Sequence, residues 1–322
     1  MVDEKEMIEF SAVVQTYNRG PLLSETLEAV RRQRCAAAEV LVIDDGSTDD
    51  TEDRIKREFP EFIYIRIDNS GAGAARKAGA DCASKEWIAF CDDDDLWLPD
   101  HLERRAGLIR RFPQAGFTFS NFRAFGPAAK ANYIHFDCTP PGWWETAAEI
   151  LDDDLILINR HAFRHFLNFN PAYPLTWAIR RDVYSDLGGI NPRYSRWQAE
   201  DGEFLRRCAL GTPVAGDRRV TALYRRHDGN KSRSQIGNLL WSAEIISEQL
   251  EAGIIPPEYY AETKECISNK RKEAYLTAFW NRDFSSMSDI FTKYAEVRKD
   301  WRLLARHLIV KASRRFRSVG FH

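Results

Sequence analysis

Asp92, Asp93, Asp94 and Asp95 stand in an unbroken row where the apolar run Ile88-Ala89-Phe90-Cys91 ends, just before Leu96 and Trp97. Four like charges at one point repel one another, more strongly beside low-dielectric walls, so the arrangement asks for a positive partner. In an extended segment alternate side chains point the same way, and the D-x-D spacing puts Asp92 and Asp94 on one side. Hard oxygen donors of this kind suit Mg2+ or Mn2+. Mg2+ held by one or two carboxylates completes its shell with water and phosphate oxygens. A cation and the diphosphate it carries would answer the charge. A solvated acidic loop, or the acidic first turn of a helix, would answer it as simply.

Other constellations compete with this one. DDGSTDDTED has the look of a calcium loop, but counted from Asp45 the sixth position is Asp50, where the turn needs glycine. Its twelfth is Lys56, where glutamate is needed. Gly71-x-Gly73 opens a helix after a strand, and Asp92 follows about twenty residues on, as a dinucleotide fold would want. Arg76 fills the third glycine position and the motif follows the third strand, so an NAD-binding oxidoreductase is a distant reading. His161 and His165 are four apart with no glutamate directly after His161, which argues against a zinc-protease helix. Trp143, Trp144 and Trp197 either stack on the apolar face of a ligand or pin a loop to the core. Glu200 and Asp201, taken alone, are acids at a helix start.

The elements that must position these groups follow from the hydropathy pattern. From residue 9 to about 100, β-branched runs (IEFSAVVQTY, AEVLVIDDGS, FIYIRID, EWIAFCD) alternate with helical segments such as LSETLEAVRRQ and GAARKAGADCA. Continuous apolar strands separated by helices imply a mostly parallel, Rossmann-like sheet with helices on both faces. Ligands bind beyond the carboxyl ends of such strands. Asp44 and Asp45, Asp68, and Asp92 to Asp95 all stand there. Between about 126 and 175 periodicity fails, predicting long loops around one helix, AAEILDD. Strand then helix is expected over 177–187, a helix after Glu200, and helix throughout from about 238.

Composition bounds the chemistry. The chain has 322 residues, 44% hydrophobic and 29% charged, with a net charge of −2, so nothing global calls for nucleic acid. Its six cysteines contain no C-x-x-C pair and read as reduced thiols. The start MVDEKEMIEF lacks the apolar core of a signal peptide, and no apolar run is long enough to span a bilayer. A cytoplasmic chain is expected.

Five blocks, in order, change the weight of these readings: VVQTYNRG, VLVIDDGSTDDT, NSGAGAARKAGADCASKEWIAFCDDDDLWLPDHL, LGGINPRYSRWQAEDGEFLRR and YRRHDGNKS. Together they resemble the inverting glycosyltransferases of family 2, which have the GT-A fold. The resemblance covers roughly residues 9 to 235. It implies a catalytic domain over 1–235, with a nucleotide-binding half to about 125 and an acceptor half over 126–235, followed by a helical extension over 236–322. Thr16, Tyr17, Asp45, Arg76 and Asp93 would bind the nucleotide. Asp94, Asp92 and His227 would face Mn2+ or Mg2+. Asp201 would be the general base, with Glu200 orienting it or the acceptor. The implied reaction moves a sugar from a nucleotide-diphosphate donor, a UDP-sugar first, to a hydroxyl of a saccharide or lipid-linked acceptor in surface polysaccharide or glycoconjugate synthesis. A non-catalytic nucleotide-sugar-binding relative and a nucleotidyltransferase are the alternatives.

The C-terminus carries a separate signal. Trp301, Leu304, Leu308, Ala312 and Phe316 form one helical stripe, and Arg302, Arg306, Arg314 and Arg317 lie off it. Residues 300–322 would either contact the inner face of a membrane or pack on the protein with their arginines in water.

Overall fold

The computed structural model describes residues 7–151, 154–159, 162–197, 199–227, 229 and 234–319, with side chains described as far as 312. The chain divides into two compact units, Met1–Asn230 and Lys231–His322.

In the first unit the strand–helix alternation runs β1 (Phe10–Thr16), α1 (Gly20–Arg31), β2 (Glu39–Asp44), α2 (Thr51–Glu58), β3 (Ile63–Arg66), α3 (Ala72–Cys82) and β4 (Trp87–Asp92). The four strands lie in the order β3-β2-β1-β4, all parallel. Their period of two sends Val13, Leu41, Ile43, Ile88 and Phe90 to one core with Ala75 and Ala80 of α3. Phe10, Ala12, Val14, Val40 and Val42 go to the other, with Leu23 and Leu27 of α1 and Ile55 of α2. Both faces are covered, which is why these strands read as unbroken apolar runs.

Beyond β4 the sheet is mixed. After β5 (Leu96–Trp97), α4 (His101–Arg111) and β6 (Phe117–Phe125) come α5 (Trp143–Ala147), β7 (Ala148–Ile150), β8 (Leu155–Ile158) and α6 (Phe163–Asn168). β9 (Ala178–Arg180), α7 (Arg181–Asp186), α8 (Glu200–Gly211) and β10 (Val214–Arg225) complete the unit. β9 inserts between β4 and β6, antiparallel to both, and β10 runs parallel to β6 and antiparallel to β8. The parallel order expected from the sequence holds where each strand is fed by a crossover helix. It fails at β9, which enters from the carboxyl end of β4 and runs back along it.

The predicted helix AAEILDD is not one. Only Ala147 is helical; Ala148 and Ile150 lie opposite Ile158 and Ile156 in a β7–β8 hairpin, and residues 152 and 153 fall outside the described residues. Pairing with the apolar run Leu155–Ile158 overrides the local helical pattern.

The second unit is helical: α9 (Gln235–Glu251), α10 (Tyr260–Trp280), α11 (Phe284–Lys293), α12 (Ala295–Lys299) and α13 (Trp301–Val319). Its core gathers Ala274, Tyr275, Ala278, Met287, Ile290, Val297 and Leu303. Among the described residues no helix is long and apolar enough to cross a membrane.

α3 lies against β1 and β2 because its facing residues are small. A Cβ added at Gly79 would overlap Val13 Cγ1 and stand 2.9 Å from Ile43 Cγ1, both side chains of the core. Gly79→Ala is therefore expected to destabilise the protein by about 1–3 kcal/mol, the usual cost of overpacking. A lower urea midpoint at unchanged slope would show it.

Candidate active site

The strand order places β2 on one side of β1 and β4 on the other, so the crevice at their carboxyl ends is where the order of strands reverses. Thr16 ends β1 and Asp92 ends β4. Past Asp92 the chain turns, with Asp95 N–H donating to Asp92 O at 3.1 Å. The extended spacing expected for Asp92 and Asp94 is thereby broken, and the four carboxylates go to different partners.

Asp93 accepts from Thr16 Oγ1 at 2.8 Å, from Tyr17 N at 3.3 Å and from Arg19 at 2.9 Å. Asp94 Oδ2 accepts from the same Arg19 nitrogen at 2.6 Å and lies 2.9 Å from His227 Nε2. Asp95 turns inward, accepting from Arg225 N at 2.8 Å while its other oxygen is buried with no hydrogen-bond partner. Burial, reinforced by Asp94 and Asp92, holds Asp95 well above the usual carboxylate range.

Asp92 belongs to a different network. Its Oδ1 accepts from Gln15 Nε2 at 3.1 Å and from two nitrogens of Arg76 at 2.7 and 3.1 Å. The third nitrogen of Arg76 donates to Glu200 Oε1 at 3.0 Å. Burial works against the charge of Arg76, and Asp92 with Glu200 overcomes it, holding the guanidinium above its ordinary value. Burial pushes the Glu200 carboxyl up to about 7, with Arg76 opposing and Asp201 adding repulsion. It pushes Asp93 up to about 6 against the pull of Arg19.

Asp201 is raised by burial too, opposed first by the Gly202 N–H that donates to its Oδ1 at 2.8 Å. Its Oδ2 accepts from Asn170 Nδ2 at 2.8 Å. Behind Asn170, His135 Nε2 lies 2.8 Å from the Asn170 carbonyl, and Tyr133 Oη lies 3.1 Å from His135 Nδ1. A carbonyl only accepts, so Nε2 carries the proton and Nδ1 takes the tyrosyl hydrogen. Burial pushes His135 down to about 4 and keeps it neutral.

Asp45 caps the entry to α3. Its two oxygens accept from Ser70 N at 2.6 Å and Gly71 N at 2.9 Å. Gly71 has a φ of +95°, and a Cβ there would stand 2.5 Å from the Ser195 carbonyl in the turn leading to Glu200. The glycine pair thus serves close packing of α3 on the 192–195 turn. Ala199, directly before Glu200, is held at a φ of +65°, a left-handed strain at the mouth of the site.

The model of the family "Glycosyl transferase family 2" matches residues 11–188. The chain belongs to glycosyltransferase family 2. An uncharacterized glycosyltransferase of Bacillus subtilis, YwdF, is 38% identical over 286 residues, covering 85% of this chain and 96% of that protein. An uncharacterized glycosyltransferase of Haemophilus influenzae is 29% identical, covering 61% of this chain and 60% of its own. Among solved structures, Staphylococcus aureus TarS 1-349 in complex with UDP-GlcNAc has a TM-score of 0.58 at 15% identity, covering 89% of this chain and 91% of its own. The mannosyltransferase PcManGT of Pyrobaculum calidifontis, in complex with GDP-Man and Mn2+, has a TM-score of 0.55 at 17% identity, covering 93% and 85%. The fold is GT-A.

In this family 2 glycosyltransferase Thr16, Tyr17, Asp93, Asp94 and His227 meet around Arg19, while Asp92, Arg76, Glu200 and Asp201 form the adjoining network. Arg76 is no surface residue, as it would be on a solvated helix face; it is 7% exposed and engaged by acids on two sides. Trp143 and Trp144 are 4% and 8% exposed, packed with Phe136, Phe166 and Phe169, which leaves little of either ring open to a sugar. Trp197 is half-buried against Tyr194. His161 lies outside the described residues, so its pairing with His165 goes undescribed.

Arg19 and Asn170 were not foreseen. For Arg19 the sequence held a usable signal, a lone cation in the turn after β1 facing four acids. For Asn170, 31 residues from Asp201, it held none.

As to a cation, among the described residues no three His, Cys, Asp or Glu side chains are grouped to hold one. Asp94 and His227 supply an oxygen and an imidazole nitrogen at one point, donor types that suit Mn2+. Asp92 is committed to Arg76 and stands apart from them.

The raised Glu200 value sets a pH dependence. Its carboxyl titrates near 7 when folded and from 4.5 when not, so the folded state holds the extra proton between those values. Stability therefore falls as pH rises through that window and levels off above it, with Asp93 adding to the slope. Thermal unfolding between pH 5 and 8 is expected to show the decline, and Glu200→Gln to flatten it.

Proposed function

We propose that this glycosyltransferase moves a sugar from a nucleotide-diphosphate donor, a UDP-sugar first, to a hydroxyl of a saccharide or lipid-linked acceptor with inversion at the anomeric carbon. Surface polysaccharide or glycoconjugate synthesis is the setting we favour. The observation that carries the reading is the Asp92–Arg76–Glu200 bridge, which joins the acid-tipped strand ends to the Glu200–Asp201 pair in one continuous network. That TarS was solved with UDP-GlcNAc and PcManGT with GDP-Man and Mn2+ supports a nucleotide-sugar donor.

The residues divide the work. Thr16, Tyr17 and Asp93 line the nucleoside side, and Asp45 fixes the loop beside it through Ser70 and Gly71. Asp94 and His227 would hold a divalent cation, Mn2+ or Mg2+, which when bound supplies Lewis-acid stabilisation of the departing diphosphate. Arg19 offers a second positive charge on the same side. Asp201 takes the proton of the acceptor hydroxyl. Burial raises its affinity for that proton, as a base working near neutral pH requires. Asn170 and the Gly202 N–H fix its orientation. Direct attack by the acceptor from the opposite face inverts the anomeric centre and needs no covalent intermediate.

Asp201→Asn is expected to lower kcat roughly a hundred- to ten-thousand-fold with nucleotide affinity unchanged, and Asn170→Ala to lower kcat with the same affinity unchanged. Nucleoside diphosphate release and isothermal titration measure the two quantities; normal turnover by Asp201→Asn would reject the base. Arg19→Gln removes the charge nearest Asp94. Mn2+ added alone should then bind more tightly, while nucleoside diphosphate without metal binds more weakly.

A further inference from the structure

α13 shows two faces. Leu303 is buried, its carbonyl accepting from Tyr275 Oη at 3.2 Å, His307 stacks on Phe291 at 3.8 Å, and Val310 packs on the same core. These residues, four and then three apart, are the face turned to the helical unit. The stripe roughly opposite is left to solvent: Trp301 is 72% exposed, Leu308 55% and Leu304 38%. Trp280, at the end of α10, is 70% exposed beside Phe279, over whose ring Arg306 lies at 5.9 Å. The apolar stripe is thus not the packing surface of the helix; it is surplus to the fold.

Charge says what covers it. Residues 301–319 contain Arg302, Arg306, Lys311, Arg314, Arg315 and Arg317 and no acid, in a chain whose net charge is −2. The positions of Arg302 and Lys311 flank the exposed stripe on either side. Two copies meeting through this face would bring like charges together, whereas an anionic surface gains from each of them. Tryptophan at the border of a basic apolar stripe suits the level of lipid headgroups.

We propose that α13, with Trp280 beside it, docks this glycosyltransferase flat on an anionic lipid surface. The apolar stripe enters the headgroup boundary and the flanking basic residues meet the lipid charge.

The test is flotation of the full chain with phosphatidylcholine vesicles and with vesicles containing phosphatidylglycerol. The expected result is flotation with the anionic vesicles alone, lost at high salt. Trp301→Glu combined with Leu308→Glu should abolish it, and Arg302→Glu and Lys311→Glu should each weaken partition roughly fivefold or more. All variants should keep the parent's helical circular dichroism and nucleotide binding. No flotation with anionic vesicles, or unchanged flotation of the double glutamate variant, overturns the proposal. So does a concentration-dependent dimer that Leu308→Glu disperses, which would make a second copy the occupant.

Discussion

Arg76 joins Asp92 at the end of β4 to Glu200 at the start of α8, and the surrounding architecture is arranged to let it do so. It is buried, and a buried guanidinium is tolerated only when its hydrogen-bonding and charge are answered; Asp92 and Glu200 answer both. The converse also holds, since without Arg76 two carboxylates would be left in a low-dielectric pocket. To reach them α3 must lie close to the sheet and to the turn before α8. Gly79 allows the first approach, against Val13 and Ile43, and Gly71 the second, against Ser195. The small-residue character of α3 is thus a consequence of where its arginine has to stand.

The four consecutive aspartates show how one residue type is made into four chemical objects. Asp92 is paired with Arg76, Asp93 is buried under Thr16 and Arg19, Asp94 faces Arg19 and His227, and Asp95 is turned in toward Arg225 N, its carboxyl raised by burial. The repulsion that makes the row conspicuous is relieved by cations from α3 and from the turn after β1, and by turning Asp95 away from the other three. What is left facing the crevice is a pair of acids sharing one arginine, a site whose positive charge can be supplemented or exchanged.

Much of this was legible. Alternating apolar runs and helices located β1 to β4, and Thr16, Asp45 and the acidic row stand at strand ends as the pattern required. Legibility stopped where partners are distant in sequence. The turn at Asp95 breaks the D-x-D pairing through a backbone hydrogen bond that no side-chain pattern records. AAEILDD has a helical pattern, yet its apolar residues are claimed by Leu155–Ile158, a tertiary pairing. Spacing marks a stripe on α13, but spacing alone cannot tell inward from outward. That assignment came from Leu303, His307 and Val310; the side chains of Arg314, Phe316 and Arg317 fall outside the described residues.

The stretch between 126 and 175, which lacks a sequence period, supplies the support of Asp201. Its regular elements are short, and rings hold them together: His135 stacks on Phe122 and Phe169, Trp144 meets Phe136 at a tilt, and Trp143 meets Phe166 edge to face. Aromatic contacts give a loop rigidity at low conformational cost, because each ring has only two torsions to fix. The rigidity is passed on through the His135–Asn170 carbonyl bond to the Asn170 amide, and so to Asp201. A protonated histidine there would bring a positive charge close behind the carboxylate and weaken it as a base. Burial in the aromatic box keeps His135 neutral, so the loop orients Asp201 without adding that charge.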